Sequence, residues 1–237
     1  MRKIDLNCDM GEGIGNDGVL MPFITSANIA CGFHAGDVNT MYETIELALK
    51  HKVSIGAHVS YLDKNNFGRT EMELSEADVF ELVQQQLIIL NEVADTFVIK
   101  LTHVKPHGAL YNQSARDKLL AKTIARAVKD FDEQLILFGL SGSASIHEAA
   151  LLGLKTASEV FADRTYRDDG SLVPRSEPGA LIEDTSQVVK QVVQMTTEST
   201  VTSFSGKIIP INAETICIHG DGKYAVEFAK AIHDAIK

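Results

Sequence analysis

Apolar and polar residues alternate at the start of the chain with the two-residue period of a β-strand: Ile4, Leu6 and Cys8 share one face, Asp5, Asn7 and Asp9 the other. The same parity recurs downstream. Asn28, Ala30, Gly32 and His34 oppose Ile29, Cys31 and Phe33; Ser54, Gly56 and His58 oppose Val53, Ile55 and Ala57; Thr215, Cys217, His219 and Asp221 oppose Ile216 and Ile218. A strand covered by helices on both sides reads as an unbroken apolar run, so acids at alternate positions need a polar interior. A closed barrel supplies one: the apolar face meets outer helices, the other lines the hollow, and the strand ends converge on one rim.

Between these strands the period changes to that of helices. Met41, Ile45, Ala48 and Leu49 form a stripe over Asn39 to Lys50, with Asp37 or Asn39 as its cap; Ser75 and Asp78 open a second helix carrying Val79, Leu82, Val83, Leu87 and Leu90. A strand over Phe97 to Lys105 runs into Pro106, His107 and Gly108, and a helix over Leu120 to Phe131 returns the chain to a strand at Leu135 to Leu140. A short helix around Ser145 to Leu152, a strand ending near Glu159, a helix with Val188, Val192 and Met195, a hairpin around Ser205 and Gly206, and a last strand and helix complete the pattern. Links from strand to helix are long, notably 60–74 and 160–183, while links back are short, as in barrels whose C-terminal rim carries the function. The expectation is an irregular, seven-stranded β/α barrel spanning 1–237 as one domain, with a doubly wound open sheet as the other architecture.

A hydrophobic content of 45% over 237 residues suits one large core, and no apolar run approaches the ~20 residues that span a bilayer. The start, Met1-Arg2-Lys3 followed by Asp5 and Asp9, lacks an apolar signal region, which points to the cytoplasm. A net charge of −10 argues against nucleic acid, whose phosphates need Lys and Arg. Cys8, Cys31 and Cys217 lack metal-type pairing and read as buried free thiols on the apolar sides of their strands.

The rim would gather Asp9, Glu12, Asn28, His34, Asp37, His58, Lys105, His107, Glu159, His219 and Asp221. Each such group costs roughly 1–3 kcal/mol if buried unpaired, so they must be paired or wet, as in a polar cleft. A metal, if bound, would take Asp9, His34 and His58, although no HExxH-type motif is present. Lys105, amid carboxylates, should stay protonated and suits either a clamp on an anionic or carbonyl oxygen or a salt bridge closing the barrel. His107 and Asp9 or Glu12 are the candidates for moving protons. Asp163, Arg164, Arg167 and Arg175 form either a solvated turn or a carboxylate site. No GxxxxGK[ST] loop occurs, and Gly139 to Ser143 is a weak candidate phosphate nest.

Six ordered blocks carry a resemblance: DLNCDMGEG, NIACGFHAGD, IGAH, VKPHGALYN, EVFADRTY with DGSLVPR, and ICIHGD. Together they resemble the LamB/YcsF family over essentially the whole chain. The resemblance implies a barrel related to glycoside hydrolase and deacetylase barrels, and ATP-dependent opening of the lactam ring of 5-oxo-L-proline to L-glutamate with partner subunits B and C. ATP with magnesium is then the implied cofactor, bound by this chain or by those partners. Catalytic work would fall to Asp9, Glu12, Lys105 and His107, with Lys105 polarising the lactam oxygen or an acyl-phosphate-like intermediate. Substrate binding would fall to Asn28, His34, His58, Glu159, Arg164, Arg175, His219 and Asp221. Two rival readings are a stand-alone metal-dependent deacetylase or amide hydrolase and a non-catalytic scaffold protein.

Overall fold

In the computed structural model, which describes residues 4–220 and 222–236, seven parallel strands close into a barrel. They are β1 (Asp5–Met10), β2 (Ser26–Ala30), β3 (Ser54–Val59), β4 (His103–Pro106), β5 (Ile136–Leu140), β6 (Lys155–Phe161) and, after a separate antiparallel hairpin of β7 (Thr200–Thr202) and β8 (Ile208–Pro210), β9 (Thr215–Ile218). β9 lies between β6 and β1, pairing Glu159 with Thr215 and Leu6 with Ile216. The seven-stranded barrel and the hairpin around Ser205 and Gly206 are both as expected.

Helices α1 (Asp17–Leu20), α2 (Val38–His51), α3 (Glu76–Thr96), α4 (Gly108–Arg116), α5 (Lys118–Phe131), α6 (Ala144–Leu151), α7 (Thr185–Val193) and α8 (Ala225–Ala235) complete the chain. The outward strand residues Leu6, Cys8, Ile29, Ile55, Val104, Val160, Ile216 and Ile218 form one buried cluster with helix residues such as Ile45, Val83, Leu87, Ile124, Val188 and Ile232. Asp37 and Ser75 cap α2 and α3, accepting hydrogen bonds from the Thr40 and Asp78 backbone N–H groups. Among the described residues no helix is long and apolar enough to cross a membrane.

Three elements depart from the expected pattern. β2 stops at Ala30, because Gly32 and Gly36 turn the chain at positive φ, so His34 reaches the rim from a turn. The strand expected from Phe97 begins at His103; Val98 sits in the left-handed region and is almost fully exposed. Finally, α4 begins directly at Gly108, where the polar run Asn112, Gln113 and Ser114 masks any helical stripe.

The barrel interior is filled with polar side chains in layers. At the bottom Asp5 accepts hydrogen bonds from Thr25, Ser26 and Thr215. Above it Asn7 donates to Thr215, Asn28 donates to Asn7, and the His103 imidazole meets Asn28 Oδ1 at 2.9 Å. Gly56 makes room for that ring: a Cβ there would stand 2.2–2.5 Å from three His103 ring atoms. His103 is also stacked on Phe138 and tied to Thr102, so it has nowhere to retreat. Gly56→Ala is expected to destabilise the chain by about 2–3 kcal/mol through overpacking, read as a lower urea midpoint at unchanged slope.

Candidate active site

The top interior layer centres on Lys105, from β4. Its ammonium lies 2.9 Å from Asp9 Oδ1, 3.2 Å from Asn7 Oδ1, 3.1 Å from Cys217 Sγ and 2.9 Å from Glu159 Oε1, the last an ion pair. Burial alone would lower the Lys105 pKa, but Asp9, Cys217 and Glu159 hold it well above the usual lysine value. Burial would raise Asp9, yet His58 and Lys105 pull it well below the usual carboxylate range, so Asp9 stays ionised. Lys105 forms the internal salt bridge, one of its two expected roles, while its side chain also lines the cleft. One expectation changes here. Cys217 faces this interior rather than the apolar side, as its parity with Thr215 demands; its burial keeps it a thiol despite Lys105.

Above Lys105, three imidazoles converge. His58 belongs to β3, His107 follows β4, and His34 comes from the turn after β2; Glu12 enters from the loop after β1. His107 Nδ1 stands 2.9 Å from His58 Nε2, and Glu12 Oε1 is 3.2, 3.8 and 3.4 Å from His34 Nε2, His58 Nε2 and His107 Nδ1. Burial and the neighbouring histidines depress His107 well below its ordinary range, and His34 to about 2. Gly68 and Gly108 allow the 60–74 loop to seal this layer: Ala109 N–H donates to Gly68 C=O, and a Cβ on Gly108 would stand 2.5 Å from that oxygen.

These groups open into a cleft of about 710 Å³ at the C-terminal ends of the strands. Asp9, Glu12, His58, Lys105, His107, Arg164, Arg175 and His219 line it; Asn28, His34 and Glu159, expected to meet substrate, lie in the layer behind. Asp37 caps α2 and does not line this cleft, and Asp221 lies outside the described residues. The mouth is basic: Arg69, Arg116, Arg164, Arg167 and Arg175 make five of the chain's seven arginines. Arg164 is buried, one Nη donates to Val173 C=O, and its Nε finds no acceptor among the described residues. Burial first, then Arg175, lowers its pKa. His219 is held through Nδ1 by Asp163 at 2.9 Å and stacks on Phe161.

Three interior residues escape the sequence reading. Asn7 lies on the polar face of β1 but is absent from the expected rim set. His103 shares Lys105's strand parity, a signal that the sequence does carry. Tyr111, whose buried hydroxyl lies against Glu159, needs α4 to be seen. His103 has a measurable consequence. Burial first, with Lys105 and His58 adding and Asp5 opposing, lowers its pKa to about 4, against about 6.5 in an unfolded chain. As pH falls from about 6.5 toward 4 the unfolded state takes up a proton that the folded state refuses, so stability declines. Urea midpoints at pH 7.5 and 5 are expected to fall by more in the native chain than in His103→Gln.

Taken together, the geometry defines a β/α-barrel protein with an ionised, histidine-rich hollow at the carboxyl ends of its strands and an anion-attracting mouth. The chain belongs to the LamB/YcsF family, whose model matches residues 4–237. It is 50% identical to the A subunit of 5-oxoprolinase from Staphylococcus epidermidis and 51% identical to that from Staphylococcus saprophyticus, in each case covering 99% of this chain and 95% of the relative. A crystal structure of a lactam utilization protein from Thermus thermophilus superposes with a TM-score of 0.92 at 39% identity, covering 98% of this chain and 95% of that one.

Proposed function

We propose that this chain opens the lactam ring of 5-oxo-L-proline to L-glutamate in an ATP-coupled reaction performed with two partner subunits, B and C. The observation that carries the reading is the cleft in which an anion hook, Arg164 beside Arg175, shares its walls with the Asp9 and histidine cluster. Two guanidinium groups side by side in the cleft wall fit a carboxylate, which would also relieve the repulsion between them. The near full-length relatives, named as A subunits of 5-oxoprolinase, and the lactam utilization neighbour support the same assignment.

An amide is a poor electrophile, and a phosphoryl group placed on the lactam oxygen makes a better one. ATP with magnesium is bound by the partner subunits or by a site on this chain other than a GxxxxGK[ST] loop. Asp9, ionised and fixed by Lys105 and Asn28, accepts a hydrogen bond from the attacking water. His219, whose Nδ1 is committed to Asp163, offers its other ring nitrogen for protonating the lactam nitrogen as the ring C–N bond breaks. A second water then releases phosphate from the resulting acyl phosphate to leave the glutamate carboxylate.

The test measures glutamate and ADP release from 5-oxoproline and ATP, with this chain alone and with candidate partner subunits. Glutamate release that requires both ATP and the partners is expected. Equal release without ATP, or none in any combination, would overturn the reading.

A further inference from the structure

The hydrogen bonds around the three imidazoles fix where their protons sit. His58 Nδ1 faces the Lys105 carbonyl at 3.0 Å and His107 Nε2 faces the Phe67 carbonyl at 2.9 Å. A carbonyl only accepts, so those two ring nitrogens carry the protons. His34 Nδ1 meets Ser60 Oγ at 2.9 Å, and Ser60 already spends its single hydroxyl proton on the Tyr61 carbonyl, so His34 Nδ1 donates as well. In the neutral rings, His58 Nε2, His107 Nδ1 and His34 Nε2 are therefore all bare lone pairs.

These lone pairs point at one another and at a carboxylate. His58 Nε2 and His107 Nδ1, both acceptors, stand only 2.9 Å apart, and Glu12 Oε1 is within 3.2–3.8 Å of all three rings. With all three rings neutral that arrangement is repulsive, and it is relieved either by a proton on His58 Nε2 shared with His107 or by a metal cation at its centre. Four donors at 2.0–2.1 Å around a tetrahedral ion are separated by ~3.3–3.4 Å, close to the spacings found here. Each ring's remaining N–H is anchored to an oxygen, as in the outer shell that orients metal-bound histidines. We propose that Glu12, His58 and His107, with His34 completing the set, bind one divalent cation of the zinc class, which nitrogen-rich donor sets favour.

This set differs from one built on Asp9: the Asp9 carboxylate is committed to Lys105 and Asn28 through Oδ1, and its Oδ2 stands beside the cluster, 3.3 Å from His58 Nε2. The rings of His34 and His107 are stacked 9° from parallel with centroids 3.9 Å apart, so Glu12, His58 and His107 form the primary set, and His34 joins it by turning about its Cβ–Cγ bond and giving up Ser60. Metal binding here stands independently of the lactam reading, because it follows from the donor geometry alone.

The intact chain, stripped with a chelator, is titrated with Co²⁺ and then Zn²⁺. One equivalent of Co²⁺ is expected to give the visible bands of a low-coordinate nitrogen-rich site, and Zn²⁺ to abolish them. Loss of that binding by at least a hundredfold in both His107→Ala and Glu12→Gln is expected. Should those variants misfold, the Co²⁺-loaded native chain decides: its proton NMR spectrum is expected to show strongly shifted, solvent-exchangeable ring N–H signals from the anchored histidines. Absence of saturable one-to-one binding, unchanged affinity in both variants, or a shared proton between His58 and His107 in the metal-supplemented chain would overturn the proposal. None of these readings involves turnover, so failure of the site and failure of the lactam assignment are separable.

Discussion

Asp9→Asn is expected to lower the turnover of the assembled enzyme by roughly a thousandfold, about 4 kcal/mol of barrier, in a chain that is less stable but still folded because Lys105 keeps Glu159 as its ion-pair partner. The substitution is isosteric, and the amide oxygen can keep the bonds that Asp9 Oδ1 accepts from Asn28 and Lys105. What disappears is the second carboxylate oxygen and the charge that orients water. Because that interaction matters in the transition state rather than in substrate binding, kcat should fall while KM for 5-oxoproline stays within a few-fold. Steady-state glutamate release, with a thermal melt as the control for folding, checks both parts. A loss under tenfold would remove Asp9 from the reaction and shift the water-positioning role to a neighbour in the same cleft.

Much of this layout is legible in the chain because a strand's side-chain period is rigid. Once Asp5, Asn7 and Asp9 share a face opposite Leu6 and Cys8, the only economical home for that face is a polar hollow, and Lys105, His58 and Cys217 then meet it by parity. Parity fails where the chain leaves the strand. Alternation places His34 at the rim only by extending β2 four residues too far; it reaches the same place through two glycines at positive φ, a route that alternation does not encode. The depth of each residue is equally hidden, since Glu159 and Asn28 sit in the layer behind the cleft while His219 and Arg164 line it. Depth depends on barrel stagger, a long-range property of which strand residues pair, and no local pattern reports it. Tyr111 is lost for another reason: α4 is short, and its polar residues obscure the helical stripe that would bring the tyrosine over Glu159.

Lys105→Met is expected to cost roughly 3–5 kcal/mol of stability at pH 7, the range for removing one partner from a buried ion pair. Methionine fills a similar volume, so the effect isolates charge: Asp9 and Glu159, the latter fully buried, would face each other's potential without the ammonium between them. The pH dependence separates this account from a packing defect. In the native chain Lys105 helps hold Asp9 below the usual carboxylate range, a contribution present above the unfolded carboxylate pKa near 4 and lost as pH falls through the lower folded value. In the variant Asp9 keeps chiefly His58 against its burial, so its carboxyl moves up and the gap between variant and native chain narrows as the pH is lowered from 8 toward 5. Urea unfolding at those two pH values should therefore show the larger deficit at pH 8. Adding Glu159→Gln to Lys105→Met should recover part of the loss, because one of the stranded charges is gone. A deficit that is small and the same at both pH values would mean that the lysine acts through its methylene stem, and that the charge on Asp9 is maintained by His58 and the surrounding water.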